Sequence, residues 1–553
     1  MEDELELKYE LSELPSAQHR AGLAGLVLIV QYLQQNIPWF RERENVILEL
    51  LNINEFSVSL KLNLQGLQAI FDLIYQADTQ ERSTEKKIKN YTRIEEFEVL
   101  DNKDKTKTKT KLVKKYFYNV IVPRGAFLKD WDESEEGLWI KLWRDMLWNI
   151  VRGVPATRNP FNYRVDGASY SQDVQKVWEE LQNPNKITGQ SSSFYLGAMA
   201  TNAENIPTKD KVRYQFLLQF WVFVTQIYCP AILDKDGKRE VAGYALAIPD
   251  VANLKNFCKL FRKVLKARDS TKWGYLPSQA LIDLPEQGAL DLFLSLRERI
   301  ATESGDSSLR RMILGVEIIH AQKVGNNIKI RSNSTVEPIT KHIDKYETIK
   351  KIYWCPWFRK QRLINLFQEQ PESNNLQHNQ QKVYPWTDFD AVFSRIPRKW
   401  LQDKYFSRDA RQLFEQEVEI KMKKVIRDYP SIVYKICQSY VLSKLESKYK
   451  MKWQNGKPFK DNKPTKEEEF NEKKHKIANE AFLAVRSRTE NQVFIDYFVS
   501  TFQGYVKEDE FVDFVNVLYN ETSQIRAITL LALSSQFSSN KKAEDKTSTA
   551  DAA

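Results

Sequence analysis

The first strongly apolar part of the chain is the run from Ala21 to Val30, which follows a turn at Pro15. This run of about ten residues is too short for a bilayer span, which needs roughly 20. Residues 2–13 are rich in acids and lack the cationic start of a secretory signal. The pattern therefore predicts a soluble helix that begins after Pro15, and Gly22 and Gly25 would let it pack closely against a neighbour.

Polar residues occupy the first turns of this predicted helix, where side chains can meet a ligand. Gly22 and Gly25 do not form a phosphate-binding loop, because neither a third glycine, a following Lys-Ser/Thr nor a preceding strand accompanies them. The polar residues are instead candidates for contact with nucleic acid: Gln18, His19 and Arg20.

Alternation of apolar and polar residues predicts a β-hairpin in the first part of the chain. Its strands cover 91–101 and 111–123, and a Lys-Thr repeat forms the tip between them. Apolar residues at spacings of three and four then predict an amphipathic helix over 138–151. We place the end of this mixed N-terminal α+β domain near residue 155.

A second α+β domain is predicted over 156–381, where a polar linker ends it. In chain order the pattern predicts a strongly buried helix over 212–228, a hairpin over 231–250, a helix over 254–267 and a second hairpin over 311–332.

The last third of the chain has helical periodicity almost throughout. Residues 382–535 are predicted to form a C-terminal helical bundle similar to a small subunit, and 536–553 a disordered tail. The predicted class is therefore α+β, with a mixed N-terminal portion of β-hairpins and helices followed by this bundle.

Composition narrows the function classes. The chain has 553 residues, a formal net charge of +10 and a pI near 9.0, a balance that favours a partner with a phosphate backbone. Its four cysteines stand singly, so neither a zinc site nor a disulfide framework is predicted. Because no targeting or transmembrane segment is visible, we expect a cytoplasmic protein that does not bind membranes.

Recognisable catalytic signatures are missing from the sequence. The five histidines are isolated from one another and from cysteines, and no GxSxG, Walker loop or dinucleotide fingerprint occurs. Asp388 and Asp390 offer two carboxylates, but a helix N-cap is the simpler role for them. We therefore expect no catalytic residue, metal or cofactor. The alternative of a nucleic-acid-processing enzyme stays open, because catalytic groups converge in space rather than in sequence.

The loop over 152–164, which Pro155 and Pro160 make rigid, carries side chains that can recognise bases. Arginine can bind guanine and asparagine can bind adenine through paired hydrogen bonds in the major groove. An ordinary surface loop with solvated arginines is the competing interpretation. The candidate residues here are Arg152, Arg158, Asn159 and Arg164.

Two further segments carry many cations. In 350–362, cations alternate with aromatic residues, a pattern suited to stacking single-stranded bases above a charged groove. The segment 391–427 contains ten cations and only five acids, which suits a helix surface that runs along a phosphate backbone. Core-facing aromatics and a solvated helix face are the alternatives. The candidates are Lys350, Lys351, Arg359, Lys360, Arg362, Arg395, Arg398, Lys399, Arg408 and Arg411.

Four stretches, taken together and in this order, resemble one known family. They are LPSAQHRAGLAGL, SSSFYLGAMATNAENIP, FLLQFWVFVTQIYCPAI and GYALAIPDV. Their combination resembles the large subunit of type I CRISPR Cascade, in particular the MYXAN-type subgroup close to type I-B. Asn202, in the second stretch, joins the candidate nucleic-acid-binding residues.

The resemblance implies a subunit that makes no bonds. Such a subunit binds the 5′ end of the guide RNA, recognises the protospacer-adjacent motif in target double-stranded DNA and helps to open the duplex. It contacts the Cascade backbone and small subunits, and it docks a helicase-nuclease or, in transposon-encoded systems, targeting factors. Because guide pairing supplies most of the sequence specificity, the protein needs to recognise only a few base pairs.

Related systems also make their small subunit from an internal start within the large-subunit message. By this resemblance, Met422 is a candidate start for a separate helical product, whereas a start at Met451 would cut into the bundle.

Overall fold

The computed structural model describes most of the chain in eleven segments. They are residues 4–36, 45–101, 109–151, 158–189, 196, 209–233, 239–304, 309–352, 356–368, 429–505 and 511–536. Contacts divide these residues into two compact units: unit 1 extends to Ile343, and unit 2 begins at Asp344. Residues on both sides of position 155 lie in unit 1, and the predicted domain boundaries stay predictions.

Unit 1 combines sheets with helices. Its helices are α1 (Ala17–Asn36), α2 (Leu64–Ile74), α3 (Leu138–Asn149), α4 (Arg158–Asn162), α5 (Gln172–Leu181), α6 (Val212–Leu217), α7 (Leu254–Phe261) and α8 (Gln287–Ser304), and α9 (Thr340–Ile349) crosses its boundary. Its strands are β1 (Leu5–Glu10), β2 (Leu48–Leu51), β3 (Ser57–Leu62), β4 (Ala77–Thr84), β5 (Arg93–Asp101), β6 (Lys109–Pro123), β7 (Ile187–Gly189), β8 (Lys209–Lys211), β9 (Gln226–Leu233), β10 (Arg239–Val241), β11 (Tyr244–Val251), β12 (Lys272–Trp273), β13 (Leu276–Pro277), β14 (Leu281–Ile282), β15 (Ile313–Val324) and β16 (Asn327–Val336).

The largest sheet has the order β10-β9-β11-β15-β16, and β14 pairs with β9 in parallel. Two smaller antiparallel sheets have the orders β1-β3-β2 and β4-β6-β5, while β7 pairs with β8 and β12 with β13. Helix α1 packs on β11 of the large sheet. This helix is buried along nearly its whole length, because apolar residues surround its axis from Ala21 to Val30.

Most elements predicted for unit 1 are confirmed. The helix after Pro15 is α1, the 91–123 hairpin is β5 paired with β6, and the helix over 138–151 is α3. The 311–332 hairpin is β15 paired with β16, and β9 pairs with β10 in the 231–250 region.

The predicted helix over 212–228 is wrong. The segment divides into α6, a 3-10 turn over Trp221–Phe223 and the first residues of β9. Strand β9 lies between β10 and β11 in the sheet, and its described residues from Ile227 to Ala231 are buried. A continuous apolar run is compatible with either a buried helix or a central strand, so periodicity alone could not decide between them.

Unit 2 is mainly helical in its described residues. After α10 (Pro356–Gln368) come α11 (Tyr429–Tyr449), α12 (Glu467–Arg486), α13 (Asn491–Phe502), α14 (Phe511–Asn520) and α15 (Thr522–Ser535). These later helices share one hydrophobic core that includes Val433, Phe470, Phe498 and Leu531. The structure therefore confirms the α+β class with a helical C-terminal region.

One part of the bundle prediction needs correction. Residues between α11 and α12 form a three-stranded sheet of β17 (Met451–Gln454), β18 (Lys457–Lys460) and β19 (Lys463–Pro464). A product starting at Met451 would lose all of α11, which contributes Val433, Ile436 and Val441 to the core. Met422 lies outside the described residues.

In the described ranges, no helix is both long and apolar enough to span a membrane.

Candidate nucleic-acid interface

The polar end of α1 is turned into the protein. Gln18 is fully buried, and its side-chain amide forms two hydrogen bonds with the backbone of Leu196. Gln18 Nε2 donates to the Leu196 carbonyl at 2.9 Å, and the Leu196 N–H donates to Gln18 Oε1 at 3.2 Å. His19 is 2% exposed and its Nε2 lies 3.0 Å from Asp210 Oδ2. These contacts correct the expectation that Gln18 and His19 face a ligand, because both side chains are buried and bonded within the chain.

Arg20 also bonds within the chain. Its guanidinium forms a two-point ion pair with Asp250, with Nη2 donating to Oδ2 at 3.0 Å, and its Nη1 donates to the Leu14 carbonyl at 2.7 Å. A paired, bidentate arginine is fixed in place and its charge is compensated. Arg20 therefore has a structural role, and contact of its partly exposed side chain with nucleic acid stays a prediction.

Helix α1 brings together the four stretches that carry the family resemblance. Gln18 binds Leu196 of the second stretch, and Arg20 binds Asp250 of the fourth. A Cβ added to Gly25 would collide with the backbone of Phe220 in the third. Leu196, Phe220 and Asp250 are distant in sequence, but all three contact helix α1.

Ser16, His19 and Asp210 have the composition of a hydrolase triad. The Ser16 hydroxyl lies 2.7 Å from His19 Nδ1, and Asp210 lies at the other ring nitrogen. Ser16 also precedes the first residue of α1, and its Oγ accepts the His19 N–H at 3.4 Å, as a helix cap does. Since the His19 ring is buried, we interpret the three groups as a cap that ties α1 to β8.

A carboxyl group with an unusual proton affinity lies beside this helix end. Burial raises the pKa of Glu317, on β15, while hydrogen bonds from Asn333 and Gln18 partly oppose that shift and the charge of Asp250 adds to it. The Gln18 amide thus connects Glu317 to Leu196. A carboxyl held closer to its neutral form suits an interior position better than a surface that attracts anions.

Arg164 is not on the surface of a base-reading loop. It is fully buried and forms ion pairs at 2.7 Å with Asp72 and with Asp173, and its Nη2 also donates to the Tyr170 carbonyl at 2.8 Å. Two carboxylates and a carbonyl occupy its guanidinium. The prediction that Arg164 contacts bases is therefore corrected.

The remaining candidates of that loop have different positions. Arg158 is the first residue of α4, and Asn159 is exposed on the same short helix. Arg152 and Asn202 lie outside the described residues. Within the described part of the loop, Asn159 thus has the exposure that contact with DNA requires.

The cations of the 350–362 segment lie partly on the surface. Lys350 and Lys351 are exposed directly after α9, and Lys360 and Arg362 are partly exposed on α10. Arg359 donates from Nη1 to the Ile352 carbonyl at 3.1 Å, which ties α10 to the preceding turn. Nucleic-acid contact by these residues stays a prediction. The cations of 391–427 lie outside the described residues: Arg395, Arg398, Lys399, Arg408 and Arg411.

Sequence analysis missed one basic surface, the three-stranded sheet over 450–466, which we call the lysine sheet. It contains six lysines and one acid, Asp461. Its signal was present in the sequence, since Asn455-Gly456 stands between two short strands and Asn-Gly is the strongest short-range hairpin signal. Both turn residues have positive φ, of 48° and 75°, as a type I′ turn requires.

Groups suited to metal or thiol chemistry are few in the described ranges. Among those residues, no cluster of three or more His, Cys, Asp or Glu side chains could hold a metal ion. Burial raises the pKa of the Cys229 and Cys258 thiols to about 12, so both are protonated at neutral pH and are poor nucleophiles.

Two family models match the chain over most of its length. The type I-B CRISPR Cas8b N-terminal domain matches residues 47–306, and the type I-B CRISPR Cas8b C-terminal domain matches residues 313–536. The chain belongs to the Cas8b family. This confirms the resemblance to the Cascade large subunit and assigns the chain to a type I-B CRISPR Cascade complex. No curated protein sequence matches it.

The limits of the two matches do not coincide with those of the two compact units of this Cas8b chain. Helix α1 precedes the N-terminal match, although its contacts Leu196 and Asp250 lie within it. The C-terminal match begins at β15, so in this Cas8b it includes two strands of the large sheet as well as the bundle.

Proposed function

We propose that this Cas8b chain is the non-catalytic, nucleic-acid-binding large subunit of its surveillance complex. It binds the 5′ end of the guide RNA, recognises the protospacer-adjacent motif in target DNA and aids R-loop formation. It also recruits an effector, either a helicase-nuclease or a transposition targeting factor. The observation that carries this proposal is the match of both Cas8b domains over 47–306 and 313–536.

Charge supports the nucleic-acid part of the proposal. The net charge of +10 favours association with a polyanion, and lysines are exposed at positions 350 and 351 and on the lysine sheet. The ion-paired arginines Arg20 and Arg164 of unit 1 do not contribute in the same way, because Asp250 and Asp72 already neutralise their charges.

Motif recognition is assigned to Arg158 and Asn159 of α4. Helix α4 contains Pro160, whose ring restricts the backbone, and Asn159 is exposed on this helix. An asparagine or arginine that reads a base edge contributes about 1–3 kcal/mol of discrimination against the wrong base.

The test measures binding of the assembled complex to targets that share one protospacer and differ only in a randomised adjacent motif. Asn159→Ala and Arg158→Ala should weaken binding by about 5- to 100-fold on targets with the preferred motif, and much less on the others. Asn162→Ala is the matched control, because Asn162 is also exposed on α4. Equal weakening on every target would assign α4 to backbone contacts and overturn its role in motif recognition.

A further inference from the structure

The lysine sheet is anchored to the bundle by one of its faces. Met451 and Pro458 are buried, and the Trp453 ring lies 5.2 Å from Phe470 of α12. On the same side, Lys460 Nζ forms an ion pair with Glu469 at 2.7 Å. This face holds the sheet on unit 2, so the opposite face has a fixed position.

Residues of the opposite face follow from the strand register. Lys452 pairs with Phe459, Phe459 pairs with Pro464, and Gln454 pairs with Lys457. Because alternate residues of a strand point to opposite faces, these five side chains share the face turned away from Met451. Directly opposed residues have Cβ atoms about 5 Å apart, so Phe459 lies beside Lys452, while Lys457 precedes Phe459 by two residues on the same strand and face.

The two lysines of this outer face are available for a ligand. Lys457 is exposed and Lys452 partly exposed, and among the described residues neither forms an ion pair. An unpaired surface ammonium keeps its full attraction for a phosphate, whereas the paired Lys460 does not.

We propose that this outer face binds single-stranded nucleic acid, with phosphates on Lys452 and Lys457 and a base stacked on Phe459. The proposal rests on the proposed function and deepens it by naming a contact surface and the strand type. A partly exposed ring on a sheet face can stack with an unpaired base, but it cannot reach a base stacked within a duplex. Cations around an aromatic ring therefore favour a single strand over a duplex.

The test uses the full chain and fluorescence anisotropy with labelled single-stranded DNA, single-stranded RNA and duplex DNA over a range of salt concentrations. Lys452→Gln with Lys457→Gln should lower the slope of log K against log salt by about 1.4 for single strands, since each phosphate contact contributes about 0.7. Phe459→Leu should leave this slope unchanged and weaken single-strand binding at least about fivefold, the lower end of one base–aromatic stack.

Lys435→Gln with Lys476→Gln is the matched control, because both lysines are exposed on helices of the same unit. An equal fall in slope in this control would show that net charge alone causes the effect, and it would overturn the proposal. Equal losses on duplex and single strands for Phe459→Leu would overturn the assignment of strand type. If the unchanged chain binds no nucleic acid, the proposed function fails. If it binds normally and both outer-face variants match the control, only this inference fails.

Discussion

Arg164 in unit 1 and the lysine sheet in unit 2 show two fates of positive charge in one basic protein. Arg164 is fully buried, and its guanidinium bonds to Asp72, Asp173 and a backbone carbonyl. Lys457 is exposed and, among the described residues, has no carboxylate partner. The first charge is compensated inside the fold, whereas the second is still available to an external anion.

This difference shows that a count of cations overestimates the binding surface. In the sequence Arg20 belongs to the polar start of a helix and Arg164 to a basic loop, but their carboxylate partners Asp250 and Asp72 are 230 and 92 residues away. Only the fold brings these groups together. A cation becomes a candidate for nucleic-acid contact when it is both exposed and unpaired.

The largest effect should come from breaking the buried charge network. Arg164→Ala leaves Asp72 and Asp173 without their shared cation, and removal of one partner from a buried ion pair typically costs about 3–5 kcal/mol. Chemical denaturation of the full chain should show this loss of stability. Lys457→Ala should leave the free energy of unfolding nearly unchanged, because it removes only an unpaired surface charge. Similar stability of both variants would show that Arg164 does not stabilise unit 1.

A smaller loss is expected from the close packing of α1. A Cβ on Gly22 would lie 2.2 Å from the Leu217 carbonyl oxygen, well inside the van der Waals contact distance, so Gly22→Ala should cost about 1–3 kcal/mol through overpacking. Gly504→Ala is the control, because no atom lies within 4 Å of a Cβ added there. Thermal unfolding of the two variants compares them directly. A Gly22→Ala chain as stable as the control would mean that α1 can shift away from Leu217 at little cost.

Sequence patterns predicted the elements whose own residues decide their structure. Helix α1, the β5–β6 hairpin and α3 have clear periodicity, and all three are confirmed. Strand β9 was missed because its burial removes the alternation that marks a half-exposed strand. The lysine sheet was missed despite its Asn-Gly turn, because helical periodicity on both sides was extended across it.

The candidate site was harder to predict than the fold, for a physical reason. The composition of a loop shows which side chains could bind a base, but not whether a carboxylate elsewhere in the chain already binds them. Gln18 illustrates this limit, since its partner Leu196 is 178 residues away. The resemblance between motifs identified the family correctly, because it depends on the combination of several stretches and not on the partners of any one side chain.

The smallest effect should be a pH-dependent gain in stability when Glu317 is replaced. Burial raises the pKa of Glu317 above its ordinary value of 4.5, so the unfolded chain releases this proton at a lower pH than the folded chain does. Stability therefore falls as pH rises from about 4.5 through the folded pKa. Glu317→Gln keeps a side chain that can hydrogen-bond to Gln18 and removes the ionisation. This variant should therefore unfold at a higher temperature at pH 7, and its unfolding temperature should fall less as pH rises.

The exposed Glu337→Gln control should change this pH profile less. A Glu317→Gln chain that unfolds at a lower temperature at pH 7 would instead show that the carboxylate itself is needed there, and that this end of α1 carries a negative charge that the interior compensates.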